Sequence, residues 1–268
     1  MRSILLLFCI LFLSQSNVCY AQAGDSVSKH EGIVVATWNI GHFSKGQKDY
    51  STISFTECKK AQEDYRCFIY DSLRADVLCI NEYEGLFYSD SLGGVNVVTE
   101  KALFDGYRSR KIFKKNRFVC NALFSTLKLK NALMRPFVYN FYAKEENPVI
   151  EWHYYVMADF FIKGQKVKLV CTHLVTSSEK HRQNQIKELL KECEKFDRVI
   201  ICGDMNTWDF SRFKKAGYSS ATDGKIVTFP SKSYSLDNIF VKGLSLSNTK
   251  ICKTELSDHY AVTCTVSL

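Results

Sequence analysis

The chain has 268 residues, 46% of them hydrophobic and 24% charged, with 36 Lys and Arg against 28 Asp and Glu, for a net charge of +8. That composition excludes a disordered chain and leaves enough apolar material for a sizeable core, and at this length one α/β or all-β domain is the default. The basic excess suits polyanionic partners such as nucleic acid or acidic membrane surfaces, although the lysines are spread rather than gathered in blocks.

The first residues stand apart. Met1-Arg2 precedes an apolar run from Ile4 to Leu13 and a polar stretch ending Ala21-Gln22-Ala23. A positive start, a short apolar centre and an A-x-A site read as a secretory signal peptide over residues 1–23, and a bilayer span would need about 20 apolar residues. The mature domain is therefore expected at residues 24–268, in a secreted or periplasmic protein. Of 11 cysteines, Cys9 and Cys19 fall in the leader, which leaves an odd number. Complete pairing is impossible, and no C-x-x-C zinc spacing occurs. Cys79, Cys171 and Cys202 lie inside apolar strand-like runs, where a thiol behaves as a small hydrophobe.

After the leader, Ile33 to Trp38 reads as a buried strand and the residues from about Thr56 to Leu73 as a helix. Val77 to Ile80 is a second strand. Trp152 to Ile162 and Val167 to Thr172 form a hairpin about Lys163-Gly164-Gln165-Lys166. The clearest helix follows, with Thr176 and Glu179 as a capping box and Ile186, Leu189, Leu190 and Cys193 on one face. Val199 to Cys202, Ile239 to Val241 and Tyr260 to Val266 supply the last strands. No repeat or low-complexity linker divides the chain.

One event recurs: a hydrophobic strand stops and a polar group stands at its tip. Asn39, Glu82, His173, Asp204 with Asn206, and Asp258 with His259 all follow this pattern. Each case alone has an ordinary explanation, since Asn and Asp often satisfy turn backbones. Five tips on one sheet edge would instead gather carboxylates, amides and imidazoles in a cleft. Hard oxygen donors of this kind suit Mg²⁺ or Mn²⁺, and imidazoles can move protons near neutral pH.

The sequence Thr37-Trp38-Asn39-Ile40, Asn81-Glu82, Asn121-Ala122-Leu123-Phe124-Ser125, Thr172-His173-Leu174, Gly203-Asp204-Met205-Asn206, Leu236-Asp237-Asn238-Ile239-Phe240 and Ser257-Asp258-His259-Tyr260 resembles the endonuclease/exonuclease/phosphatase superfamily in both motif and order. The resemblance runs from about Ile33 to the end of the chain. It implies a four-layer α-β-β-α sandwich with two packed mixed β-sheets. It also implies a metal site of Glu82 with Asn39 and Asp258, taking Mg²⁺ with Mn²⁺ or Ca²⁺ as substitutes. Asp204 and Asn206 match the pair acting on water and phosphate, and His259 the strand-end histidine oriented by Asp237. His173 matches a second histidine of the deoxyribonuclease and sphingomyelinase branches, where it serves the leaving oxygen; Asn121 has a structural role. Three positions depart from the pattern: Asn81 stands where Gln is usual, Asn238 where an aromatic or histidine is common, and Ala261 where proline often follows.

The resemblance implies a monomeric metal-dependent phosphodiesterase, with nucleic acid as the first expectation for its substrate. A phospholipid or a sugar phosphate is the second, with the aromatic-rich stretch from Phe137 to Tyr155 as a lipid contact. A catalytically silent binding protein is the third, disfavoured because every polar tip is present.

Overall fold

Short runs rich in β-branched residues, separated by turn residues, make strands rather than helices, and here they build two six-stranded sheets. In the computed structural model the described residues are 32–41, 64–84, 96–97, 119–138, 141–144, 147–150 and 153–268. The expected leader and the start of the first expected helix lie outside them. The first sheet takes β1 (Ile33–Asn39), β2 (Val77–Glu84), β3 (Asn96–Val97) and β4 (Val119–Ser125). The second begins with β5 (Lys130–Pro136), and β6 (Phe141–Lys144) with β7 (Asn147–Ile150) forms a separate hairpin. To the second sheet also belong β8 (Tyr154–Ile162), β9 (Gln165–His173), β10 (Val199–Asp204), β11 (Ser219–Ser220) and β12 (Asp237–Lys242). The chain then returns to the first sheet with β13 (Ser245–Cys252) and β14 (Ala261–Ser267).

The strand orders are β13-β14-β1-β2-β4-β3 and β11-β12-β10-β9-β8-β5. Each sheet is antiparallel except for one central parallel pair, β1 with β2 and β9 with β10. Polar groups at the carboxyl ends of parallel strands share an edge, the usual place for a site in an α/β sheet. Antiparallel neighbours bring their starts to that edge. Asp237 opens β12 opposite Asp204, and Asp258 and His259 precede β14, so these three are strand starts rather than the strand ends that the sequence pattern suggests for the Asp258-His259 pair.

Three apolar clusters fill the layers. Val35, Cys79 and Leu123 of one sheet meet Ala158, Leu169, Cys202 and Ile239 of the other. The free thiols of Cys79, Cys171 and Cys202 are buried here, and burial pushes those of Cys79 and Cys202 upward. On the outer face of the first sheet, Trp38, Leu78 and Phe124 pack on Tyr65, Ile69 and Leu73. Ile69 and Leu73 come from α1, a π-helical turn at Phe68–Leu73 that continues helical residues 64–67. On the second sheet's outer face, Ile186, Leu189 and Cys193 of α2 (Glu179–Cys193) and Phe213 of α3 (Ser211–Lys215) cover Val170, Ile201 and Phe240. Each such side chain contributes about 1.5–3 kcal/mol on burial. The architecture is the expected α-β-β-α sandwich with two mixed sheets.

Local details differ from the sequence reading. The cap of α2 is Ser178, whose Oγ accepts from His181 N at 3.4 Å, so helix entry is two residues later than Thr176. The hairpin turn is only Lys163-Gly164, with Ile162 opposite Gln165. Both turn residues have positive φ (46° and 79°), as a two-residue type I′ turn requires. Among the described residues no helix is long and apolar enough to cross a membrane.

Candidate active site

Asp204 is the centre of the shared edge. Strand pairing sets His173 on one side of it and Asp237 on the other. Its Oδ2 accepts from Asn39 Nδ2 at 3.1 Å and lies 3.5 Å from His173 Nε2 and 3.8 Å from His259 Nε2. Its Oδ1 accepts from the Asn206 backbone at 2.8 Å. Asn206, at φ 50°, is in the left-handed region that asparagine tolerates, and its Nδ2 donates to Leu174 O at 2.8 Å.

Glu82 reaches the edge through an irregularity. The β2–β4 register shifts between Ile80 and Tyr83, and Glu82 sits at φ 55°. A bulge re-aims a side chain, and a non-glycine residue in that region costs about 1–3 kcal/mol. Asn39 Nδ2 donates to Glu82 Oε1 at 3.1 Å, and Asn39 Oδ1 accepts from Gly41 N at 3.1 Å. Asn39 thus joins the Glu82 and Asp204 carboxylates across the two sheets.

His259 is fixed from three sides. Its Nδ1 lies 2.7 Å from Asp237 Oδ2, its carbonyl accepts from Trp38 Nε1 at 3.1 Å, and its N–H donates to Ser257 Oγ at 3.1 Å. Ser257 Oγ in turn donates to Asn39 O at 2.7 Å. Burial opposes charge on the His259 ring, yet Asp237 and Asp204 outweigh it and raise its pKa well above the imidazole range. Burial raises the Asp237 carboxyl, against the pull of its His259 partner. For His173 burial wins: the ring is held below the ordinary range despite Asp204 and Glu82.

Asn81, which stands where Gln is usual, is fully buried and bridges the sheets: Nδ2 donates to Asn121 Oδ1 (2.7 Å) and Thr172 O (3.0 Å), and Oδ1 accepts from Asp204 N (2.8 Å). Gly203 makes the close approach possible, since at φ 142° a Cβ would lie 1.8 Å from Thr172 O. Asn121 Nδ2 donates to Tyr154 O at 3.0 Å, matching its structural reading. Asn238 is also structural, its amide bonding Thr222 N and O at 3.0 Å each.

These groups open into a cavity of about 440 Å³ whose lining includes Glu82, His173, Asp204, Asn206, Asp258 and His259. Asn39 and Asp237 lie behind it. Sequence reasoning missed Arg182, Trp208, Phe229, Lys232 and Tyr234, which also line it. Arg182 was legible only as a polar residue on the buried face of α2; its Nη1 donates to Val175 O (2.7 Å) and Thr176 O (3.1 Å), steadying the segment after His173. Of the aromatic stretch from Phe137 to Tyr155, the two end residues are buried together with ring centroids 5.0 Å apart, and the side chains of residues 139–152 lie outside the described residues.

The solved structures are similar across most of the chain. A protein from Beutenbergia cavernae described as endonuclease/exonuclease/phosphatase gives a TM-score of 0.65 at 14% identity, covering 89% of this chain and 72% of that one. The chain has the endonuclease/exonuclease/phosphatase fold. The same fold is shared with the human Nocturnin catalytic domain with bound sulfate anion (TM-score 0.63, 18% identity, 89% and 95% covered). It is also shared with D. rerio TDP2 complexed with single-strand DNA product (TM-score 0.61, 14% identity, 89% and 100% covered). No protein-family model and no curated protein matches the sequence.

Two donor groups in this fold suit a divalent metal. Asp204, Asp237 and His259 bring ligand atoms within 4.8 Å of one another, and Asp237 and His259 are also bonded to each other at 2.7 Å. Glu82 and Asp258 also face the cavity, and as carboxylates they are hard donors.

Proposed function

We propose that the chain is a monomeric, divalent-metal-dependent phosphodiester hydrolase acting on nucleic acid, exported after loss of residues 1–23. The observation that carries this reading is Asp204, one buried carboxylate facing two imidazoles while Asn39 ties it to Glu82. Glu82 and Asp258 would hold the metal, with Asn39 orienting Glu82. A bound divalent ion would polarise a phosphoryl oxygen and stabilise charge on the leaving group.

The chain's own groups divide the remaining work. Asp204 accepts the proton of the attacking water, and Asn206, held by Leu174 O, contacts the phosphate. Asp237 orients the His259 ring by accepting a hydrogen bond from Nδ1–H, which turns Nε2 toward Asp204 and the cavity. His173 serves the leaving oxygen. Nucleic acid is favoured over lipid by the basic net charge, by Arg182 and Lys232 on the cavity wall, and by the DNA product in the similar TDP2 structure.

The test is a panel of single-stranded DNA, RNA, sphingomyelin and an inositol polyphosphate, each assayed with Mg²⁺, Mn²⁺ and Ca²⁺ and after chelation. Chelator-sensitive cleavage of DNA or RNA is expected. Turnover of sphingomyelin alone would move the substrate to phospholipid, and no turnover at all would reject hydrolysis. N-terminal sequencing of exported protein should begin near Gly24; an exported chain starting at Met1 would reject cleavage.

A further inference from the structure

Trp208 and Tyr234 line the same cavity as Asp204 and Asn206, and the steps above use neither. A single exposed aromatic needs no explanation. Here Trp208 is 55% and Tyr234 38% exposed, with their ring centroids 4.7 Å apart and planes at 40°. Phe229 lies 4.7 Å from the His259 ring at 39°, and Phe229 and Tyr234 pair as a bridge that carries Lys232 on the 3-10 turn between them. An aromatic wall thus runs from solvent to the imidazole beside Asp204.

The wall is rigid. Asp209 N donates to Thr207 Oγ1 at 3.1 Å and Ser211 N to Asp209 Oδ1 at 3.0 Å, tightening the loop on both sides of Trp208. A Cβ on Gly224 would come within 2.8 Å of Trp208 O, so a neighbouring loop also holds it. An aromatic surface already held in place loses little freedom when a ligand stacks on it.

Resting on the nucleic-acid reading, we propose that Trp208 and Tyr234 form a nucleobase-stacking subsite beside the scissile phosphate. Every base has a π face, so the subsite detects a base and tolerates its identity. A choline headgroup is the other ligand that an aromatic surface takes, by cation–π attraction to its quaternary ammonium. Its fixed positive charge would enter beside Lys232, which the 3-10 turn holds between Phe229 and Tyr234, whereas an uncharged base meets no such opposition.

Calorimetric titration with deoxyadenosine 5′-monophosphate, 2-deoxyribose 5-phosphate and phosphocholine tests the subsite without needing turnover. The protein should bind the nucleotide about 5- to 150-fold more tightly than the sugar phosphate. Trp208→Ala should abolish most of that ratio while sparing affinity for the sugar phosphate, and Trp208→Phe should restore part of it. Tyr234→Leu, checked like the others by melting curve, is the second variant should Trp208→Ala fold poorly. Equal affinity for nucleotide and sugar phosphate, equal loss of both in Trp208→Ala, or tighter binding of phosphocholine would each overturn the subsite. Cleavage of DNA is measured separately. Base-dependent binding without cleavage would reject hydrolysis and keep the subsite, and cleavage without base-dependent binding would do the reverse.

Discussion

Glu82 shows how one residue can be costly for the fold and necessary for chemistry. Its positive φ is retained in Glu82→Gln, which keeps volume and the Asn39 contact but removes the charge. Mg²⁺ or Mn²⁺ affinity should fall at least about tenfold while the melting temperature barely moves; unchanged affinity by calorimetry would shift the metal to the Asp204, Asp237 and His259 group. The two imidazoles can be separated by leaving group. His259, oriented by Asp237, acts on the water side and His173 on the leaving side, so each alanine variant should lose about 10²–10⁴-fold on an ordinary diester. An activated nitrophenyl diester needs less help at its leaving oxygen and should partly rescue His173→Ala only. Equal losses for both variants on both substrates, per folded molecule, would reject this division.

Between elements, the same edge depends on how closely strands approach. Gly203 lets β10 lie against β9 with Asn81 inserted from the other sheet. Gly203→Ala should cost about 3 kcal/mol or more in urea unfolding, and a loss under about 0.5 kcal/mol would contradict so tight a contact. Asp159 makes a second cross-strand link. It is 2% exposed on β8, accepts from Asn131 Nδ2 at 2.8 Å, and pairs with Lys166 at 3.1 Å and with the buried Lys168. Burial raises its carboxyl, but these three partners outweigh burial and hold it below the ordinary range. A lowered folded value means that the stabilisation is present above the unfolded pKa of about 4 and is lost as pH falls through the folded value. Asp159→Asn should therefore cost about 3 kcal/mol at pH 7, where Lys168 loses its counter-ion, and the gap from the parent chain should close in acid. A gap unchanged down to about pH 3 would refute the sign.

At the scale of the whole molecule, the polar edge was legible from local pattern, apolar runs of strand length each meeting a polar residue, whereas the sandwich was legible through the family resemblance of the motifs. What was not legible depends on partners distant in sequence. Asn81 reads as a shortened amide until the second sheet supplies Thr172 and Asp204 as partners. Trp208 and Tyr234 carry no periodic signal and meet only where two loops converge. β13 was unread because its mostly exposed residues lack the apolar alternation of a half-buried strand.

The strand order has a further consequence. β1 lies between β2 and β14, and His259 and Asp258 immediately precede β14. Asn39 and His259 thus come from strands distant in sequence, and the reactive edge is complete only when β14 pairs with β1. On the proposed reading, a chain in which β14 has not paired with β1 holds Asn39 without His259 and so lacks a complete site.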